Sequence, residues 1–583
     1  MSDLALQLIA EAKQNRSTSL NLENCGLTEL PPELFELDWL EELILGKNYK
    51  WDVKLGHFGR YWVQSHILPQ PQKNRIKRIP KDISHLTALK TLILSGQSIR
   101  DVSPLGALPN LTYLSLTDNS DLLRDISPLA GLTKLTHLDL SDNWKINIAP
   151  LSHLTNLIYL DLQNGSFNDI SPLAQLTNLM HLNLQDINAH KILDISALAT
   201  LTNLVDLDLN SNRITDVSAL ANLTHLSYLD LGHNWIEDIS ALANLTSLTS
   251  LSLQANRIEN IAALANLTSL TSLNLWGNPK ADISPLANLT SLTSLDLSWN
   301  KLSSISPLSN LTSLVSLNLS ENKISNPSPL TNLISLASLR LDDNRIKDIS
   351  PLANLVNLTS LALAKNKIVD ISPLTTLAHS APKFIPVELD LSNNQICDAS
   401  PLTALKGLTS LNLSNNKFTD LSTLAHLKDL TKLELSKNKL VDISPLTALA
   451  KLTHLDVRFN QLTDISPLSS LTNLIELNIA RNQISDLTPL NNLSRLTCLD
   501  LSKNEAITSL EPLMPLFEHY KEEDQKNIKI YASGCPIIEP AQSTIKRGGA
   551  YTLYHYFKRK EKRERKQEVA QTRAAQRKKK SSS

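Results

Sequence analysis

Apolar and polar positions alternate along this chain on two length scales. Locally, runs such as Leu207-Asp-Leu209 and Leu229-Asp-Leu231 switch at every residue, the pattern of a strand with one buried face. At longer range a whole unit returns. Its ladder asparagines fall at Asn212, Asn234, Asn256, Asn278, Asn300, Asn322, Asn344 and Asn366, every 22 residues without a slip. Each coil therefore predicts one short strand, with Leu229 and Leu231 inward and Asp230 outward. The asparagine then turns the chain, and its amide can pair with backbone groups that the turn leaves buried. The following Asp282-Ile-Ser-Pro-Leu286 predicts a short 3₁₀ turn, with Ser284 as its cap and Pro285 at its first position. One coil alone cannot bury its leucines, so the coils must stack.

The spacing Leu-x-x-Leu-x-Leu-x-x-Asn resembles the leucine-rich repeat family, and the 22-residue coils are similar to those of internalins. The resemblance implies an α/β solenoid of about 22 coils. A curved parallel sheet would line its concave face and short 3₁₀ or helical turns its convex face. At about 4.8 Å per strand such a sheet runs on the order of 100 Å along its arc.

The chain divides accordingly. Residues 1–16 read as an amphipathic capping helix with Leu4, Leu8, Ile9 and Ala12 on one side. Residues 17–535 form the repeats. Cys25 takes the ladder slot of coil one and Asn48 that of coil two; Gln97, Gly165 and Ile187 replace later asparagines. An insertion, 49–73, carries Trp51, Tyr61 and Trp62, which either bury against the solenoid or meet a partner. A second interruption, 379–386, contains two prolines and predicts a convex bulge. Residues 536–557 predict a C-terminal capping helix, and 558–583 a basic tail. Both ends resemble the repeat region of bacterial Roco-type proteins. The opening does so through Leu30-Pro-Pro-Glu33, the close through a helix ending in Tyr556-Phe557. The GTPase domain that follows in those proteins has no counterpart among the motifs of this chain.

Charge is uneven. The tail holds twelve Lys/Arg against three Glu, a net of +9, which leaves −10 for the rest of a chain whose net charge is −1. The tail, with Lys558, Arg559, Lys578, Lys579 and Lys580, is either a solvated end or a weak contact for anionic membrane or nucleic acid. Four cysteines lie far apart, with no zinc spacing, and suit a reducing compartment. The start lacks the pattern of a secretory signal, and no apolar run is long enough to span a bilayer. The expected location is cytoplasmic.

Enzyme motifs are absent from the sequence. No two of the 14 glycines stand five apart, so no Walker-type phosphate loop exists. The expectation is a non-enzymatic scaffold with no cofactor, no metal and no small-molecule substrate. Its protein partner would bind the concave face and belong to signalling. Two alternatives stand beside it: a surface adhesin resembling internalins, and a regulatory arm working in trans with a GTPase or kinase. The concave positions expected to touch a partner are His233, Trp276, Trp299, Arg340, Arg458, Phe459 and Arg481, accompanied by Lys365, Lys437 and Lys503. Trp276 and Trp299 sit one coil and one column apart, as an aromatic patch or as ordinary packing. His137, His181 and His454 share one strand position and read as exposed. The acidic column Asp139, Asp161, Asp208, Asp230 and Asp296 reads as a solvated face.

Overall fold

The computed structural model describes residues 3–47, 49–51, 60–62, 72–119, 122–187, 191–278, 282–380, 388–405, 407–518, 528–537 and 542–580. Segments 49–51, 60–62, 379–380, 542–550 and 576–580 are described as backbone only. Two compact units result, Met1–Lys301 and Leu302–Ser583. Among the described residues the repeats contribute 22 three-residue parallel strands, twelve in the first unit and ten in the second. In the regular blocks they pair in register at 22-residue steps, as in Leu207↔Leu229 and Leu229↔Leu251; around the insertions the step lengthens, as in Leu43↔Leu92 and Leu182↔Leu207. A regular coil leaves its strand through a 3₁₀ turn, which is all a 22-residue coil has room for. The solenoid expectation therefore holds.

The core is a stack of leucine columns. Leu207, Leu229, Leu231 and Leu253 are fully buried, as are Ile214, Ile236 and Ile258 beyond the ladder. The ladder asparagines bond as their spacing required. Asn256 Nδ2 donates to the carbonyls of Leu231 (2.9 Å) and Leu253 (3.0 Å), while its Oδ1 accepts the Ile236 N–H at 3.0 Å. Asn212, Asn234, Asn278, Asn344 and Asn366 each donate in the same way to their own and the preceding coil. Asn300 donates to the Leu275 carbonyl and Asn322 to that of Leu319.

Two local expectations change. In coil two the ladder position belongs to Asn74, whose Nδ2 donates to the carbonyls of Leu22 and Leu45 at 2.8 Å. Asn48 lies outside the described residues. The insertion thus enters between the strand and its ladder residue. Within it, Tyr49–Trp51 pairs antiparallel with Arg60–Trp62; the side chains of Trp51, Tyr61 and Trp62 lie outside the described residues. Second, Ser284 is not the acceptor that caps its turn. Asp282 Oδ1 accepts the Ser284 N–H at 3.0 Å, and the Ser284 hydroxyl donates to Asp282 Oδ2 at 2.8 Å. The same aspartate cap recurs at Asp216, Asp348 and Asp442. These bonds to the ionised form hold the Asp282 carboxyl below its ordinary range. Beyond these, residues as different as serine, tryptophan and glutamate occupy left-handed backbone just before the ladder slot. Ser211, His233, Ala255, Trp299, Glu321, Lys437, Phe459 and Arg481 have φ between 51° and 61°.

At the ends, helix Asp3–Asn15 buries Ala5, Ile9 and Ala12. Leu4 and Leu8 flank that face and are only half-buried. At the second interruption Pro373–Ser380 forms an α-helix in place of a 3₁₀ turn; 381–387 are outside the described residues. The last element is a single helix, Gln542–Lys580. It runs through Gly548-Gly549 and through the basic tail as far as Lys580. Leu553 and Phe557 are buried on the final coil.

Candidate binding surface

Side chains that leave the sheet on its concave face come from the first and third residue of each strand, and from the two residues before the ladder asparagine. In the first unit, the first-residue column reads Tyr113, His137, Tyr159, His181, Asp206 and Tyr228, in register. Parallel pairing puts these rings one strand apart. Tyr113–His137 and His137–Tyr159 stack at centroid distances of 5.7 and 6.0 Å, and Tyr159–His181 meet at 6.4 Å with rings tilted by 43°. The column ends on a hydrogen-bonded pair, His181 Nδ1 with Asp206 Oδ2 at 2.7 Å. The expectation of exposed histidines fails at His137 and His181, which are half-buried in this column. Burial and the neighbouring His181 push the His137 imidazole below its usual pKa. His454 is half-buried as well, though its side chain is more open at 41% exposed, with Glu476 at 4.0 Å.

The acidic column is not a solvated face either. Asp139, Asp161 and Asp208 are buried, while Asp230 and Asp296 are half-buried, because side chains of adjacent coils close over them. Each is anchored by a backbone N–H two residues on, Asp161 by Gln163 (2.9 Å), Asp208 by Asn210 (2.9 Å) and Asp230 by Gly232 (2.7 Å). Position 232 has no room for a side chain. A Cβ there would meet Asn210 Nδ2 at 2.7 Å and Asp230 Oδ1 at 3.0 Å. Desolvation, then the Asp230 charge, pushes the Asp208 carboxyl up to about 8. Burial and the surrounding aspartates raise the Tyr228 phenol as well.

Further along the first unit, Trp276 is half-buried and its ring neighbour is His233, at 5.8 Å. His233 reaches it across the small Ala255 of the intervening coil. Trp299 stands 54% exposed. Sequence reasoning missed Trp235, 44% exposed, with the Arg213 and Arg257 guanidiniums each 5.6 Å from its ring. The signal was present: the residue after the ladder slot is basic in many coils.

In the second unit, Lys437, Phe459 and Arg481 occupy the same column of three successive coils. The Arg481 guanidinium lies 4.4 Å from the Phe459 ring centroid and Lys437 Nζ 5.7 Å. Phe459 is 38% exposed. Arg458 pairs with Asp456 (3.1 Å), Arg340 with Asp342 (3.3 Å) and Lys365 with Asp343 (3.4 Å), all at the surface. Lys503 is exposed. On the terminal helix, Lys558 bonds Glu518 at 2.7 Å and Lys560 bonds Glu511 at 3.1 Å, which clamps the helix to the last coils. Arg559 and the cations from Lys562 to Lys566 are exposed. Lys578, Lys579 and Lys580 are helical, with side chains outside the described residues. Among the described residues, no cluster of three or more His, Cys, Asp or Glu has metal-binding geometry, and no helix is long and apolar enough to cross a membrane.

A family model described as leucine-rich repeats in two copies matches residues 87–131, 202–244, 246–288, 334–376, 387–426, 428–470 and 472–513. A single-repeat model of the same kind matches 131–147, 288–305 and 310–328. Among solved structures, the chain is similar to the Arabidopsis receptor kinase HAESA, seen in complex with the peptide hormone IDA and the co-receptor SERK1. That match has 24% identity, covers 86% of this chain and 85% of that one, and has a TM-score of 0.62. The plant peptide hormone receptor RGFR1, in complex with RGF2, matches at 21% identity over 80% and 85% of the two chains, with a TM-score of 0.60. An internalin, inlF of Listeria monocytogenes, is 32% identical over 61% of this chain and 83% of its own, with a TM-score of 0.36. No curated protein sequence matches the chain.

Proposed function

The chain belongs to the leucine-rich repeat family, and on that premise we propose that it is a non-enzymatic scaffold that binds a protein partner through its concave face. The observation that carries this reading is Trp299. A tryptophan more than half exposed, three residues beyond its strand and in left-handed backbone, contributes little to folding. Large exposed aromatics of this kind are enriched where partners dock. Phe459, flanked by Arg481 and Lys437, repeats the theme in the second unit. The fold's use in peptide-hormone receptors supports the reading by analogy.

The finer version places the scaffold in the cytoplasm, working with signalling machinery in trans. The four cysteines are free thiols, which suits that compartment. The exposed basic stretch of the terminal helix would add a weak, salt-sensitive contact with an anionic membrane surface. The test is affinity capture with mass spectrometry, wild type against Trp299→Ala and Phe459→Ala. Loss of the same protein from both variants, at unchanged thermal stability, supports the reading. Identical capture by all three chains defeats it. Recovery of the protein outside the cell on fractionation would replace the cytoplasmic version with a surface adhesin.

A further inference from the structure

We propose that the row Lys437, Phe459, Arg481 and Lys503 is the docking site for an acidic segment of the protein partner, one that carries carboxylates on either side of an apolar side chain. The inference rests on the scaffold reading and gives the partner's chemistry for the second unit. The row is built by repetition. Its members precede the ladder residues Asn438, Asn460, Asn482 and Asn504 in four successive coils. All four take left-handed backbone, with φ of 54°, 56°, 54° and 62°, so their side chains leave the coils in one direction. Each is tied to the next coil through its backbone. The Lys437 N–H donates to the Arg458 carbonyl (3.0 Å), Phe459 to Ala480 (2.9 Å), Arg481 to Ser502 (2.7 Å) and Lys503 to Ser533 (2.8 Å). The result is a row of parallel side chains, about 4.8 Å apart, on a fixed backbone. All four residues are exposed.

The row departs from the two coils before it. There the same slot holds Asn393 and Asn415, the residue type that, after glycine, suits left-handed backbone best. Long cationic or aromatic side chains replace asparagine in the next four coils, against that preference. In those coils the two positions before the ladder residue hold Lys437, Arg458, Arg481 and Lys503 and no carboxylate. Two strand carboxylates beside the row already hold cations, Asp456 with Arg458 at 3.1 Å and Glu434 with Lys432 at 2.8 Å. Phe459 lies between Arg481 and Lys437, 4.4 and 5.7 Å from its ring centroid. The Lys503 stem lies over Gly534, where a Cβ would meet its Cδ at 3.0 Å. An apolar side chain set on the open part of the Phe459 ring therefore brings flanking carboxylates to Lys437 on one side and to Arg481 and Lys503 on the other. Three coil steps span about 14 Å, the length of five residues of extended chain. A nucleic-acid strand stacks successive bases on successive rings, and this row offers one ring among three cations.

The experiment couples a biotinylated Glu-Glu-Leu-Glu-Glu peptide to the full chain with a carbodiimide, which joins carboxylates to lysine amines in contact with them. Mass spectrometry then maps the coupled lysines, so the basic terminal helix is read separately from the row. Lys437 and Lys503 should couple well above Lys428 and Lys451, exposed lysines that precede the strands of the same coils, and less so at higher salt. Arg481→Gln, alone or with Arg458→Gln, removes a binding group without removing a coupling site. Each variant should lower coupling at Lys437 and Lys503 about fivefold, the loss of one exposed charge contact, and leave the terminal helix unchanged. Glu321 holds the same backbone at φ 56°, so glutamine fits at position 481, and circular dichroism melts check the fold. Coupling at Lys437 and Lys503 no higher than at Lys428 and Lys451, or unchanged in both variants, overturns the assignment. Displacement of the peptide by about one tenth its concentration of pentathymidylate would make the row a nucleic-acid contact and overturns it too. If the peptide fails while Trp299→Ala and Phe459→Ala still lose the captured partner, only this chemistry falls. If both variants also capture normally, the scaffold reading falls with it.

Discussion

Removing two neighbouring ladder asparagines should cost more than the sum of removing each. In Asn256→Ala, the Ile236 N–H, fully buried, loses the acceptor it meets at 3.0 Å. The three carbonyls that Asn256 served are not orphaned. Leu231 keeps the Asn234 amide at 3.1 Å, Leu253 keeps that of Asn278 at 2.9 Å, and Gln254 keeps the His233 N–H at 2.7 Å. The cost is therefore that of one buried donor left unpaired, about 2 kcal/mol. Asn234→Ala has the same arithmetic. It orphans the Ile214 N–H, while the Leu209 carbonyl keeps Asn212 and the Leu231 carbonyl keeps Asn256. In the double variant the Leu231 carbonyl loses both partners at once, which adds about 1–2 kcal/mol of coupling. A distant pair, Asn234→Ala with Asn416→Ala, shares no carbonyl and should be additive to about 0.5 kcal/mol. Urea denaturation followed by circular dichroism gives the energies, and amide hydrogen exchange at Ile214 and Ile236 gives the local readout. Additivity of the neighbouring pair to within about 0.5 kcal/mol would refute the shared-acceptor argument. So would an Ile236 amide that exchanges at its wild-type rate in Asn256→Ala.

Ala255→Val should destabilise by about 1–2 kcal/mol because a β-branched residue resists φ 51°, whereas Ala255→Gly should be neutral or stabilising; thermal melts of both decide it. The raised Asp208 carboxyl gives a pH signature. Between the unfolded value near 4 and about 8 the unfolded chain binds fewer protons, so stability falls as pH rises, by at most about 1.4 kcal/mol per unit. Asp208→Asn should flatten that slope in denaturation curves taken across the window. Trp299→Ala, exposed on the surface, should shift the melting temperature by less than about 2 °C, and a larger drop would make the residue structural. Truncation after Lys560 keeps both clamps, so it should abolish salt-sensitive co-sedimentation with anionic vesicles while leaving the circular dichroism spectrum of the repeats intact.

Several features were legible in the residues themselves because they rest on period alone. A 22-residue recurrence of Leu-x-Leu and Asn determines strand, turn, inward leucines and stacked coils, since no other arrangement buries those side chains. The same logic located the insertion, but not its point of entry. Whether Asn48 or Asn74 closes coil two depends on which amide reaches the carbonyls of Leu22 and Leu45, a distance fact. The column before the ladder slot lacks Val, Ile and Thr throughout, a trace of left-handed backbone that only φ angles make readable. Tertiary structure alone decided exposure. Asp161 and Asp208 sit at outward positions of their strands, yet are buried because their cover comes from coils about 22 residues away in sequence and about 4.8 Å away in space. It likewise paired Trp276 with His233 across Ala255, and joined Tyr113, His137, Tyr159 and His181 into one column of ring contacts. A strand pattern states which face a side chain leaves from; what it meets there depends on the size of its neighbours in the next coils.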